Sequence, residues 1–278
     1  MSADILALVL MAALFHALWN AVVKGAGDRT ITFGLVMIGQ TLPALLIVPF
    51  VPLPNTAVLP YLFLSVVIHW GYYYFLVSAY RFGDLSLVYP IARGLTPVLV
   101  ALGGLFIVGE ILPPLAWLGL MLISFGILIL AWTAIFKEQS FLGIMLALGT
   151  SFMVAGYSLV DGMGVRLTEN ALSYIVWLFI IEAIAIIAIF APRRDRLRIL
   201  TRRQIWTGII GGVMASIAYG LVLIAKTHAP IAMVSALRET SVVFASLIGL
   251  IVFGEGPARP RLMAAIIVAS GIVALSLV

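Results

Sequence analysis

Apolar residues fill this chain in long continuous runs, cut at fairly regular intervals by short stretches that are polar or hold proline or glycine. A helix needs roughly 17–25 predominantly apolar residues to cross a bilayer, and ten runs approach or reach that length. They are Ala3 to Val23, Ile31 to Phe50, Val58 to Tyr80, Leu85 to Val108, Leu112 to Phe136, Phe141 to Val160, Ala171 to Ala191, Gln204 to Ala225, Ile231 to Phe253 and Leu262 to Val278. Segments such as Ile175 to Phe190 lack the in-and-out alternation of a membrane strand. The pattern predicts an all-α polytopic membrane protein of ten transmembrane helices.

The fourth run carries a charge. Tyr89 to Glu110 reads YPIARGLTPVLVALGGLFIVGE, with Arg93 set between Pro90 and Pro97. An arginine inside a span is costly unless it is given water or a partner. The same pattern returns as Ser235 to Glu255, SALRETSVVFASLIGLIVFGE, at an offset of 238 − 93 = 145 residues. Arg93 falls on Arg238, Thr96 on Ser241, Gly104 on Gly249 and Gly109-Glu110 on Gly254-Glu255. Residues 1–138 and 139–278 therefore read as two five-helix repeats. Because five is odd, the second half enters the membrane from the opposite side, which gives an inverted-topology repeat. Each arginine lies about eight residues into its span, roughly 12 Å deep at 1.5 Å per residue, near the middle of a hydrocarbon core about 30 Å thick.

Composition supports the membrane class, at 64% hydrophobic and 10% charged residues with a mean hydropathy of +1.22. A net charge of +5 could suit nucleic acid, but the basic residues gather between spans and read as a topology signal, so no nucleic-acid partner is expected. The loops after the odd-numbered spans hold Lys24, Arg29, Arg81, Lys137, the cluster Arg193, Arg194, Arg196, Arg198, Arg202 and Arg203, and then Arg259 and Arg261, against only Arg166 and Lys226 after the even ones. The positive-inside rule puts the odd loops in the cytoplasm and both termini outside. The arginine cluster is read as the topology anchor, with anionic-lipid contact as a second role. Before the first run there is only Asp4 and no basic stretch, so that run is read as a retained span. With no cysteine, thiol metal and redox chemistry are excluded. No HExxH, Walker A or Gly-x-Ser-x-Gly pattern occurs, and three scattered histidines make a poor metal site. Neither an enzyme nor a cofactor is expected.

The ten-span plan, the paired Gly-Glu ends of spans four and nine, and the pattern Glu110…Gly119-x-x-x-Ile123-x-x-Gly126, echoed by Glu255…Gly271, resemble the drug/metabolite transporter superfamily, in particular its EamA-like transporters. The second half departs in having Ala264 where the first has Gly119. The resemblance implies a secondary transporter, often an exporter of amino acids or other metabolites, with a central substrate cavity.

Within the spans, a planar guanidinium suits a carboxylate or phosphate, so Arg93 and Arg238 are substrate candidates, with a structural ion pair as the alternative. Pro90, Gly94 and Pro97 supply a local reason for span four to open, whereas Arg238 has no flanking proline. Glu182 and Glu239 make a formally neutral set with the arginines, which fits mutual pairing or a zwitterionic ligand equally, and either could be a proton-coupling group. Adjacent helical residues point about 100° apart, so Arg238 and Glu239 are expected to seek partners on other spans. His16, Trp19 and Asn20 share one helix face, with Tyr157-Ser158 and Asp161 as their counterpart in span six. His69, Trp70, Tyr72, Tyr73 and Tyr74, with Tyr219 at the repeat position of Tyr74, are read as cavity lining.

The expected substrate set is Arg93, Arg238, His16, Trp19, Asn20, Tyr73, Tyr157 and Tyr219. Glu110 and Glu255 are read as acceptors for backbone N–H groups at the start of the helix that follows each, and the ladder Gly208, Gly212, Ser216, Gly220 as a close packing face. The sequence thus points to an inner-membrane transporter, monomeric or homodimeric, that exports a small carboxylate- or phosphonate-bearing metabolite by alternating access. Its partners are the lipid bilayer, the small-molecule substrate and, as a coupling ion, protons. The alternatives are a flippase of a lipid or lipid-linked sugar and, from another class, a membrane-embedded transferase.

Overall fold

The structure is a computed structural model that describes residues 1–24, 29–82, 85–131, 140–197, 199–254 and 257–278. Its principal elements are α1 (Ala3–Lys24), α2 (Arg29–Ile47), α3 (Leu59–Phe82), α4 (Leu85–Gly94), α5 (Thr96–Gly103), α6 (Pro114–Ile129), α7 (Phe141–Arg166), α8 (Ala171–Glu182), α9 (Ile184–Phe190), α10 (Arg194–Leu197), α11 (Arg202–Lys226), α12 (Ile231–Glu239), α13 (Ser241–Phe253) and α14 (Ala258–Ser276). Nine helical stretches among the described residues are long and apolar enough to cross a membrane. The fifth predicted run differs: α6 has 16 residues rather than the full Leu112 to Phe136, and 132–139 lie outside the described residues.

Three helix starts among the described residues carry side-chain caps, in which a polar oxygen satisfies an otherwise orphaned first-turn N–H. Ser140 accepts from Gly143 N before α7, Asn170 accepts from Leu172 N before α8, and Thr201 and Gln204 form a reciprocal capping box at α11. Two ends need glycine. Past α5 the chain widens into a π-helical turn, Gly104–Val108, and leaves it at Gly109 with φ 79°, while α13 ends at Gly254 with φ 64°. These are left-handed conformations that other residues rarely adopt.

Among the described residues, three spans are interrupted. Span four breaks between α4 and α5 at Leu95, and span nine between α12 and α13 at Thr240, positions that again differ by 240 − 95 = 145. Span nine thus breaks without a flanking proline. Span seven kinks at Ala183, directly after Glu182.

Small residues set the closest helix contacts. A methyl group added at Gly212 on α11 would overlap the Val36 carbonyl of α2, and one at Gly39 on α2 would overlap the Ile209 carbonyl of α11. Gly208 packs on Leu35 in the same crossing, so the lower part of the predicted ladder is a packing face. In the α6–α14 crossing, Gly119 and Gly271 lie against each other's backbone, and Gly126 meets Val268 and the Ala264 carbonyl. Elsewhere α3 lies along α7, α1 along α11, and α12 against α5 and α1. Large apolar side chains such as Leu46, Phe63, Phe106, Ile187 and Ile251 point outward, a surface suited to lipid.

Candidate functional site

Spans four and nine, broken at equivalent positions, deliver their arginines to one carboxylate. Arg93, next to last in α4, is 6% exposed and donates from Nη1 to Glu239 Oε2 at 3.3 Å and Oε1 at 3.5 Å. Arg238, 4% exposed, donates from Nη2 and Nε to Glu239 Oε1 at 2.6 and 3.1 Å. Glu239 is fully buried. The expectation that neighbouring Arg238 and Glu239 could not satisfy each other is therefore corrected. They stand at the last turn of α12, against the break, and there the side chains fold back on each other. Each also has the partner on another span that was expected: Arg93 for Glu239, and the Tyr157 hydroxyl, 3.2 Å from Arg238 Nη2, for Arg238.

Aromatic rings wall this centre. The Arg93 guanidinium lies 6.0 Å from the Tyr72 ring centroid and 5.8 Å from that of Tyr89, and that of Arg238 lies 5.5 Å from Tyr157 and 5.9 Å from Tyr219. Cation–π contact of this kind holds a guanidinium in a desolvated place. Arg93 Nη2 also donates to the Tyr72 hydroxyl at 3.4 Å. With two guanidiniums and one carboxylate, the centre carries one formal positive charge in excess.

A second polar group lies beside it. Asp161, fully buried on α7, accepts from the hydroxyl of Tyr174 at 2.8 Å and from that of Tyr219. Lys226, also fully buried, donates to the Ser158 carbonyl at 2.8 Å. On α8, Glu182 accepts from Gln40 at 3.2 Å and stands 3.3 Å from His69 Nδ1.

The predicted set divides. Arg93, Arg238, Tyr157 and Tyr219 meet at the arginine centre. Tyr73 stands instead in T-shaped contact with Phe33 and tilted toward Tyr72 and His69. His16, Trp19 and Asn20 are half-buried and satisfy one another within α1. Trp19 Nε1 donates to His16 Nδ1 at 3.4 Å, and Asn20 Nδ2 donates to the His16 carbonyl at 2.7 Å. His16 still lies within electrostatic range of both arginines. Trp70 and Tyr74 are 47% and 67% exposed and face outward, so they line no cavity.

Glu110 accepts from Ile231 N, at the start of α12, rather than from the helix that follows it. It also takes Arg166 Nη1 at 2.7 Å, while Arg166 binds the carbonyls of Lys226 and Ala229. Glu255 lies outside the described residues. Lys226, counted as a loop charge from sequence, is the buried last residue of α11. Tyr89 was not singled out from the sequence, and Tyr72 was read as cavity lining without a place in the substrate set. Their signal was spacing, since Tyr89 sits one turn before Arg93 and Tyr72 shares a face with His69. A cavity of about 280 Å³ lies elsewhere, among Ile31, Arg196, Ile199, Leu200 and Gln204.

Residues 141–277 match the model of the EamA-like transporter family. No curated protein matches the chain. Among solved structures, one described only as a "crystal structure of protein" aligns with 100% of this chain and 99% of its own, with a TM-score of 0.79 at 16% identity. At that identity the likeness concerns the fold.

Proposed function

We propose that this chain, whose residues 141–277 match the EamA-like transporter family, is a multi-pass membrane transporter of the drug/metabolite type that carries a small metabolite bearing a carboxylate or phosphonate through the arginine centre. One observation carries this reading. Two arginines, from two spans broken at equivalent positions, share a single carboxylate, and so retain the charge to take a second anion. Arg238 grips Glu239 closely, whereas Arg93 holds it at 3.3–3.5 Å. Arg93 is the arm free to turn toward substrate, with Glu239 as the internal anion that substrate replaces. The tyrosine rings suit an amphipathic body attached to the acid group.

The equivalent breaks at Leu95 and Thr240 favour two five-helix repeats, residues 1–138 and 139–278, in inverted topology. Alternating access is then a rocking of one half against the other about a site near the midplane. We place the protein in the cell inner membrane with both termini outside, working as an exporter.

Comparing the metabolites released by cells that make the protein, the Arg93→Ala variant or neither tests the assignment. At least one acidic metabolite should be released faster with the protein and lose that gain in the variant at equal membrane abundance. Equal release from wild type and variant would sink the site assignment.

A further inference from the structure

Glu182 ends α8 at the kink before Ala183, is 4% exposed, and presents its two oxygens differently. Oε2 has Gln40 of α2 as a donor. Oε1 has no donor in hydrogen-bonding geometry among the described residues. His69 Nδ1 lies 3.3 Å from it, but the Ser65 carbonyl is nearer to that nitrogen, at 2.9 Å. Ser65 Oγ lies 3.2 Å from the same nitrogen, so Ser65 engages Nδ1 in either tautomer, its carbonyl accepting or its hydroxyl donating, and a proton is the partner that Glu182 Oε1 lacks. The other titratable groups around the pair include Tyr73 from α3, Asp161 and Tyr157 from α7, Tyr219 from α11 and, on α8 itself, Tyr174. Asp161 already has both oxygens engaged by tyrosine hydroxyls, which leaves Glu182 as the carboxyl with a vacancy.

The pair is also joined to the arginine centre. The His69 ring stacks on Tyr157 with centroids 4.1 Å apart and planes 20° from parallel, and the Tyr157 hydroxyl accepts from Arg238. We propose that Glu182 and His69 form the proton-binding site that drives transport, and that the ring of Tyr157 conveys its state to Arg238. This rests on the transporter reading above. A proton from the aqueous face converts the Glu182 carboxylate to the neutral acid. That changes the contact between Oε1 and His69 Nδ1, lets the ring shift over Tyr157, and so alters the hydroxyl on which Arg238 leans.

The test needs no substrate. Infrared difference spectra of the full-length protein in lipid nanodiscs, taken between about pH 5 and pH 9, read the C=O stretch of protonated carboxyls. A band that titrates in the wild type should vanish in Glu182→Gln and change frequency in Glu182→Asp, which keeps a carboxyl. Its midpoint should move by about one pH unit in His69→Asn. Arg238→Gln should displace the midpoint in the wild-type background and distinctly less in Tyr157→Phe, which keeps the ring but not the hydroxyl. A wild type with no titrating carboxyl band, or a band unaltered in both Glu182 variants, would overturn the proton site; an Arg238→Gln displacement undiminished in Tyr157→Phe would overturn the link. Because the readout is proton binding, a protein that transports without a Glu182 band refutes this inference alone. One that shows the band while Arg93→Ala exports normally refutes only the substrate reading.

Discussion

Glu239 is the residue on which the centre turns, because it neutralises one of two buried guanidiniums and touches both. Removing one member of a buried charge group costs about 3–5 kcal/mol, chiefly through the charge left uncompensated. Glu239→Ala should therefore lower the melting temperature of the detergent-solubilised protein. Adding Arg93→Gln to that variant should restore part of the loss, since it withdraws one of the stranded cations; a further drop in the double variant would contradict the pairing. The role of Glu239 was hidden in the sequence. Adjacent residues on a regular helix diverge, and only the break at Thr240, which no proline announces, lets Arg238 and Glu239 close on each other. Arg93 was legible because an arginine between two prolines in an apolar run has few ordinary explanations. Lys226 was not, for it ends its run and reads as the first residue of a loop.

The crossings decide what can move. The apolar runs forecast helix positions within a few residues for most spans, because hydropathy in a membrane chain leaves helices as the spanning solution. Which helices meet was harder to read, apart from the glycine ladder of α11 and the spaced glycines of α6. Gly39 and Gly212 bring α2 and α11 into backbone contact, and overpacking a closed contact costs about 1–3 kcal/mol. Gly212→Val should part these helices. The chain has no cysteine, so a single Gln40→Cys can report it. Thiol reagents should label that cysteine faster in the Gly212→Val background, and equal rates would contradict a tight crossing. Glu110 ties the start of α12 to Arg166. Losing a helix N-terminal acceptor costs about 0.5–2 kcal/mol, so Glu110→Ala should lower the melting temperature moderately, by less than Glu239→Ala. A larger loss than in Glu239→Ala would mean that this tie, rather than the arginine centre, dominates stability.

For the whole molecule, orientation in the membrane is set by where the basic residues lie. With Lys226 buried, Arg166 alone remains of the basic residues assigned to the outer loops, and it too is engaged by Glu110. A reporter fused after Val278 should be active outside the cytoplasm, and activity inside would reverse the topology. As proposed, the arginine centre is a substrate site in which Glu239 stands in for the transported anion, and not a lock that merely holds helices together. Its most direct test is uptake into liposomes of the acidic metabolite identified by release profiling, comparing wild type, Arg93→Gln and Glu239→Gln. Removing the competing carboxylate in Glu239→Gln should lower KM, by about tenfold for each 1.4 kcal/mol of competition relieved, while Arg93→Gln abolishes uptake. A Glu239→Gln variant with unchanged or raised KM, alongside an Arg93→Gln variant that still transports, would contradict it.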